Sequence, residues 1–142
     1  MYKRILCPVD GSKKSNHGLR EAVRMAAELD AKLLVLHVVD STDFIAYPAG
    51  VADLGDYLQA EGKTILRKAI RLAERGVDRV ESKLVEIRKG RVATAIVASA
   101  KQFDADVIVM GTSGRRGLAS LFLGSDAAAV VGLSPVPVLL VK

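Results

Sequence analysis

Glycines and arginines lie close together in the segment GTSGRRGLASLFLGS, which spans residues 111–125. Gly111 and Gly114 have no Cβ atom, so the backbone at these positions can approach a bound molecule closely and adopt positive φ angles. Arg115 and the arginine that follows it place positive charge in the same loop, and guanidinium groups bind phosphate oxygens well. The loop therefore has the composition of a phosphate-binding site.

The end of this loop adds a second feature that suits an anion. Gly124 and Ser125 precede an alanine-rich helical pattern, and the free N–H groups at the start of a helix favour negative charge. The hydroxyl of Ser125 would add one more hydrogen-bond donor. A simpler interpretation stays open, in which the loop is a glycine-rich turn and Ser125 is an ordinary N-cap residue.

The common phosphate-binding motifs are absent from the sequence. The pattern G-x-x-x-x-G-K-[ST] does not occur, and no G-x-G-x-x-G follows an apolar run. These absences exclude P-loop hydrolysis and a dinucleotide site as leading functions.

Apolar runs alternate with helical patterns along the whole chain. The runs are typical of buried strands and cover residues 5–9, 32–40, 81–90, 105–111 and 136–142. Helical periodicity indicates helices at residues 15–29, 58–76, 92–100 and 124–132. This alternation predicts one domain with a parallel sheet, right-handed crossovers and helices on both faces. Residues 41–56 fit neither pattern, and we expect an irregular loop there, either a plain connection or a lid in which Phe44 and Tyr47 cover a ligand.

The loops that follow the strands are the expected place for a ligand. In doubly wound sheets, ligands bind at the carboxyl ends of the strands, where the strand order reverses. Loops at those ends start at Pro8, Val38 and Gly111. Three residues near these strand ends have simpler interpretations. Asp10 would cap the turn into the first helix, and Val38 would be a core residue that offers a ligand only its backbone groups. His37 is more typical of a hydrogen-bonded strand residue than of a catalyst.

Composition limits the class of protein. The chain has 142 residues and a net charge of +5, but only 4% of its residues are aromatic, which leaves few platforms on which bases could stack. We therefore predict no nucleic-acid partner. Cys7 is the only cysteine and lies in an apolar run, which is typical of a reduced, cytoplasmic protein. No apolar run approaches the roughly 18 residues of a membrane span, so no membrane association is expected.

The spacing of the loop residues carries a resemblance to a known family. Gly111-Thr-Ser-Gly114, then nine residues, then Gly124-Ser125 fits the pattern G-2x-G-9x-G-[ST] of the universal stress proteins. ILCPVDGS and LLVLHVVD resemble the first two strands of that family, and DADVIVMGTSGRRGL and SPVPVLLVK are similar to its fourth and fifth. The resemblance is to the ATP-binding subgroup and covers essentially the whole chain.

The resemblance implies a fold. We expect residues 1–142 to form a single α/β domain, a doubly wound five-stranded parallel sheet with helices on both faces and strand order 3-2-1-4-5. This architecture is Rossmann-like and is similar to that of the adenine nucleotide alpha-hydrolases. A rival enzyme of that group is disfavoured, because its S-G-G-x-D-S and H-I-G-H signatures do not occur here.

The resemblance also implies a ligand and a set of site residues. The ligand would be ATP, with AMP or ADP as alternatives, and Mg²⁺ or Mn²⁺ would accompany the phosphates. The residues implied around the adenosine are Pro8, Asp10, Val38, Met110 and Gly111, and those implied around the phosphates are Gly114, Gly124 and Ser125. The positive charge of Arg115 makes it a further candidate for the phosphate site.

One residue departs from the family pattern. Asp126 stands where nucleotide-binding relatives commonly have valine or threonine. An aspartate suits the first turn of a helix without ligand, but it repels a triphosphate by about 1 kcal/mol or more. A lower affinity for ATP, or a preference for AMP or ADP, is therefore left open.

The resemblance finally implies partners and a role. Similar proteins form homodimers through the last strand, and the apolar run VPVLLVK would lie at a sheet edge, with Pro137 where no ladder donor is needed. We expect a nucleotide-dependent dimeric switch that acts on an unknown protein partner and is no dedicated enzyme, with slow ATP hydrolysis left open. The alternative is a dimeric scaffold of the same fold that has lost nucleotide binding.

Overall fold

Strands and helices alternate along the chain, as the hydrophobic pattern predicts. The structure is a computed structural model and describes residues 1–44, 52–113 and 123–142. Its strands are β1 (Arg4–Pro8), β2 (Lys32–Asp40), β3 (Val80–Ile87), β4 (Val107–Gly111) and β5 (Val138–Val141). Its helices are α1 (Lys13–Leu29), α2 (Ala52–Glu74), α3 (Val92–Gln102) and α4 (Ser125–Leu133). Among these described helices, none has the length and apolar character needed to cross a bilayer.

The strands form a single five-stranded sheet in the order β3-β2-β1-β4-β5, and every pairing in it is parallel. This order confirms the predicted fold. β1 lies at the centre, where Leu6 pairs with Leu34 of β2 on one side and with Ile108 of β4 on the other. The order of the strands reverses between β1 and β4, so this is the point at which a ligand is expected.

Both faces of the sheet are covered, which explains why the strand sequences are almost continuously apolar. Ile5 and Cys7 of β1 point into a core formed with α1 and α2. Leu6, the residue between them, points into a second core formed with α3 and α4. Because successive side chains of a strand alternate between faces, a strand between two helical layers needs apolar residues at every position.

The segment after β2 differs from the prediction. Residues 41–56 were expected to be irregular, but Thr42–Phe44 form a 3₁₀ turn and α2 begins at Ala52. Residues 45–51 lie outside the described part of the chain. Periodicity missed the first turns of α2 because Leu54 and Tyr57 there are exposed instead of packed in the core.

Candidate functional site

A cavity of about 400 Å³ opens at the carboxyl ends of β1, β2 and β4, at the point where the strand order reverses. Seven of the nine predicted site residues line it: Pro8, Asp10, Val38, Met110, Gly111, Gly124 and Ser125. The other two, Gly114 and Arg115, lie outside the described residues. The structure therefore brings the three predicted loops together at one cavity.

The cavity also has lining residues that the sequence analysis did not assign to the site. Asp40 is the last residue of β2, and Asp43 follows shortly after it. Their position at a strand end could have identified both as site residues. Leu58 and Glu61 come from α2, and Val92 is the first residue of α3. No local pattern indicates which helix residues will close a cavity formed by other segments.

The turn from β1 into α1 is built by short-range hydrogen bonds. The carboxylate of Asp10 accepts from the amide of Ser12 at 2.9 Å, and Ser12 caps α1 by accepting from the amide of Ser15. Gly11, between Asp10 and Ser12, has a φ of +82°, a conformation that side-chain-bearing residues rarely adopt. Asp10 thus holds the turn, as the simpler interpretation predicted, and also lines the cavity.

The backbone of β2 extends past the end of β1 and faces the cavity. The carbonyl of Leu36 accepts from the amide of Val9, on the β1 side of the strand. The backbone groups of successive residues point to opposite sides of a strand, so those of residues two apart point to the same side. The N–H and C=O of Val38 therefore point to the β1 side, like those of Leu36. Because β1 ends at Pro8, these groups of Val38 are directed towards the cavity that Val38 lines. One donor and one acceptor, in a cavity whose lining also includes the apolar side chains of Ile96 and Met110, suit the edge of a heterocyclic base.

His37 is a buried structural residue, as expected. Its Nδ1–H donates to the carbonyl of Val9 at 2.7 Å, which fixes the ring across the end of β1. The opposite edge of the ring packs on α2, where a Cβ on Gly62 would lie 3.0 Å from Cδ2 of His37. The residue therefore ties β1, β2 and α2 together behind the cavity.

Gly111 lines the cavity and also serves helix packing, a second role that the sequence did not indicate. A Cβ on Gly111 would lie 2.5 Å from the carbonyl oxygen of Lys14 in α1, and it would therefore clash with backbone atoms. Gly18 of α1 has the matching constraint, since its Cβ would lie 2.7 Å from the amide nitrogen of Gly111. The described glycines with positive φ are Gly11 and Gly90, so Gly111 is not one of them. The missing Cβ of Gly111 accommodates α1 at the floor of the cavity.

The glycine-rich loop returns to the sheet at Gly124. The amide of Gly124 donates to the carbonyl of Thr112 at 2.7 Å, and a Cβ on Gly124 would lie 3.0 Å from Cα of Ser113. Gly124 is also the N-cap of α4, and Ser125 is the first helical residue. The interpretation of Ser125 as an N-cap is therefore wrong. The first turn of α4 begins at the cavity wall, where its N–H groups are positioned for an anion.

The described wall of the cavity is acidic. It carries the carboxylates of Asp10, Asp40, Asp43, Glu61 and Asp126, and no Lys or Arg occurs among its described lining residues. Asp126 lies in the first turn of α4, so its charge is close to the N–H groups that would bind an anion. Within residues 1–44, 52–113 and 123–142, no group of three or more His, Cys, Asp or Glu side chains is arranged to hold a metal ion.

A parallel sheet in this order, with a cavity at the strand switch point, defines a Rossmann-like α/β protein. The chain belongs to the universal stress protein family, whose family model matches residues 1–142. This match confirms the family to which the sequence was predicted to belong.

Individual relatives are similar over nearly their full length. A universal stress protein from Methanocaldococcus jannaschii is 38% identical over 144 residues, which cover all of this chain and 83% of the relative. The solved universal stress protein of Lactobacillus plantarum has a TM-score of 0.84 at 28% identity, with 99% of this chain and 98% of that one covered. A universal stress protein solved in complex with cAMP has a TM-score of 0.70 at 29% identity, covering 99% and 97%.

Proposed function

We propose that this protein binds an adenine nucleotide in the cavity at the ends of β1, β2 and β4, and acts as a nucleotide-dependent dimeric switch. The observation that carries the proposal is the joint placement of Val38 and Gly124 at one cavity. The backbone groups of Val38 suit the edge of adenine, and the start of α4 behind Gly124 suits a phosphate. The relative solved with cAMP supports an adenine ligand, because it shares this fold at 29% identity.

The cavity has the size and wall that a nucleotide needs. A volume of about 400 Å³ lies within the usual range for small-molecule sites, roughly 300–1,000 Å³. Its apolar lining includes Val92 and Ile96 from α3 and Met110 from β4, on the side where a base would be enclosed. The seven predicted residues that line the cavity are proposed as its binding residues. Gly114 and Arg115 are proposed to complete the phosphate site.

The charge of the wall favours either a nucleotide with few phosphates or ATP with a divalent ion. Free ATP carries about four negative charges and AMP about two, so AMP, or ATP with a divalent ion, places less negative charge beside Asp126 in the first turn of α4. Mg²⁺ in nucleotide sites is held mainly by phosphate oxygens and water, with one or two carboxylates. Asp10 and Asp126 would supply these carboxylates, and the ion would neutralise phosphate charge beside them.

The dimer is proposed to form through β5. This strand lies at the edge of the sheet, as the order of the strands shows, and Leu139 on it is 38% exposed. Pro137 precedes the strand and contributes its carbonyl, which accepts from the amide of Ile108, so it does not interrupt the ladder. An apolar edge strand without a neighbour is a pairing site for a second copy.

We propose slow or no turnover of the nucleotide. His37, the buried imidazole of the wall, is held by Val9 and packs on Gly62, so it belongs to the scaffold. Ser125 contributes a hydroxyl to the cavity, but hydrolysis needs a base positioned on it or on a water molecule. The site therefore fits binding, with the occupied state recognised by a protein partner.

Two measurements test this function. Denaturing the purified protein and identifying any released nucleotide by mass spectrometry would show what the site carries from the cell. Titration calorimetry with AMP, ADP and ATP, with and without Mg²⁺, should give saturable binding with one site per chain. A flat titration with all three at millimolar concentration would end the proposal.

A dimeric scaffold without nucleotide binding is the second candidate. Asp126 favours it, because this carboxylate lies in the first turn of α4 where phosphate would bind. The scaffold predicts dimers in solution but no heat of binding with any adenine nucleotide. Both candidate functions therefore predict a dimer, but only the nucleotide-dependent switch predicts a heat of binding in the calorimetric titration.

A further inference from the structure

The exposed face of α2 is strongly basic over its second half. Residues 62–75, which are the second half of α2 and the residue that follows it, include a single acidic residue, Glu74. The basic residues of this stretch are all exposed, and they are Lys63, Arg67, Lys68, Arg71 and Arg75. We call these five residues the α2 basic face.

Ion pairing within the chain does not account for this charge. Arg79 and Arg24 pair with Asp30 and Glu21, each at 2.6 Å. Within the described part of the chain, no residue of the α2 basic face forms an ion pair or a side-chain hydrogen bond. The helix dipole favours cations only in the last turn, which contains Arg71 alone. The surface therefore presents several cations that are available to a partner.

A groove of about 330 Å³ lies beside this face, between α1 and α2. Its floor is apolar and is formed by Leu19 of α1 with Ile65 and Leu72 of α2. Arg20 of α1 and Lys68 of α2 line the groove from its two helices, and Asp10, in the turn before α1, is the acidic residue of its described lining. An apolar floor between two cations fits an apolar side chain flanked by carboxylates.

We propose that this groove and the α2 basic face form a docking surface for an acidic amphipathic segment of a partner protein. The residues Lys63, Arg67, Arg71 and Arg75 recur every four positions, so successive cations are about 6 Å apart along the helix. An acidic helix repeats its carboxylates at the same interval, which gives charge complementarity along the surface. The proposal does not depend on nucleotide binding.

A protein segment fits this surface better than nucleic acid does. Residues 58–79 contain no Phe, Tyr or Trp, so α2 offers no ring on which a base could stack beside its cations. The apolar floor of Ile65 and Leu72 has no counterpart in a phosphate backbone, whereas it fits a leucine side chain.

The test uses a labelled peptide of about 15 residues, which spans roughly 22 Å as a helix. Glu and Leu share one face of this peptide. One control peptide has Gln in place of Glu, and a second has Ser in place of Leu. Binding to the intact protein is followed by fluorescence anisotropy at low and at raised salt. We expect saturable binding that weakens with salt and with both control peptides.

Matched charge reversals locate the surface. The double variant R67E/R71E should weaken peptide binding by about tenfold or more. The double variant K89E/K101E changes the net charge equally, but Lys89 and Lys101 are exposed at the turn before α3 and on α3, the helix layer of the other sheet face. It should change binding by less than about twofold. Circular dichroism checks that both variants are folded.

Three results would overturn the proposal. Equal losses in both double variants would show unspecific attraction to net charge. Equal binding of the Leu and Ser peptides would show that the groove does not contribute to peptide binding. Tighter binding of a single-stranded oligonucleotide than of the acidic peptide would make nucleic acid the partner.

Discussion

The amide nitrogen of Gly124 lies 2.7 Å from the carbonyl oxygen of Thr112, so the two ends of the glycine-rich loop are joined by a hydrogen bond. This bond places the first turn of α4 beside the end of β4, at the wall of the cavity. The hydrogen bond fixes the positions of Thr112 and Gly124 relative to each other. A substitution that separates these ends should affect binding more than folding.

Gly124→Ala should lower nucleotide affinity by about tenfold, which is roughly 1.4 kcal/mol. The added Cβ would lie 3.0 Å from Cα of Ser113, so the start of α4 must shift away from the loop. Calorimetric titration with AMP measures the effect. Gly132→Ala is the control in the same helix, because a Cβ there meets nothing within 4 Å. Equal affinity in both variants would show that the Gly124 contact does not position the phosphate site.

Asp126→Asn should tighten ATP binding by roughly fivefold, since it removes about 1 kcal/mol of repulsion from the phosphates. The gain should be smaller for AMP, which carries less charge, and smaller for ATP with Mg²⁺. Asp78→Asn is the control, because Asp78 is exposed and does not line the cavity. If neither the unchanged protein nor the Asp126→Asn variant binds a nucleotide, the result favours the dimeric scaffold.

Gly18→Ala should destabilise the fold by about 2 kcal/mol, because its Cβ would lie 2.7 Å from the backbone nitrogen of Gly111. Urea denaturation gives the change in the free energy of unfolding. Gly55→Ala in α2 has open space around its Cβ, so the better helix propensity of alanine should raise stability by up to about 1 kcal/mol. A neutral Gly18→Ala would mean that α1 and β4 do not pack as closely as described.

Cys7 should make stability depend on alkaline pH. Complete burial raises the pKa of its thiol from 9.0 to about 12. The folded state therefore keeps the proton that the unfolded state loses above pH 9. The contribution of Cys7 to the free energy of unfolding is therefore fully present below pH 9. It falls by about 1.4 kcal/mol per pH unit between pH 9 and 12.

Urea denaturation across this pH range compares the protein with Cys7→Ala. The variant is less stable at neutral pH but should lose less stability as the pH rises. Parallel pH curves would assign the alkaline loss to other groups. A thiol reagent should react with Cys7 only when the protein unfolds, because the side chain is fully buried.

Local sequence patterns predicted the sheet well because each strand is buried on both faces. The continuous apolar runs of β2 and β4 directly reflect two helical layers, and the strand-end rule then placed Pro8 and Val38 at the cavity. The resemblance to the family supplied the order of the strands, which periodicity alone does not determine.

The parts that were missed depend on contacts between distant segments. Glu61 reaches the cavity because α2 packs across β2, and no local pattern encodes that position. Gly111 lines the cavity, but the close contact of its backbone with Lys14 and Gly18, on a helix nearly a hundred residues earlier, could not be predicted from local sequence. The start of α2 was missed because exposed residues such as Tyr57 hide its periodicity.

A crystal structure of the protein grown with excess ATP and Mg²⁺ tests the proposed nucleotide site most directly. We predict adenine hydrogen-bonded to the backbone of Val38 and phosphate at the first turn of α4, next to Gly124 and Ser125. A cavity that stays empty of nucleotide, or in which the carboxylate of Asp126 occupies the phosphate position, would contradict the account.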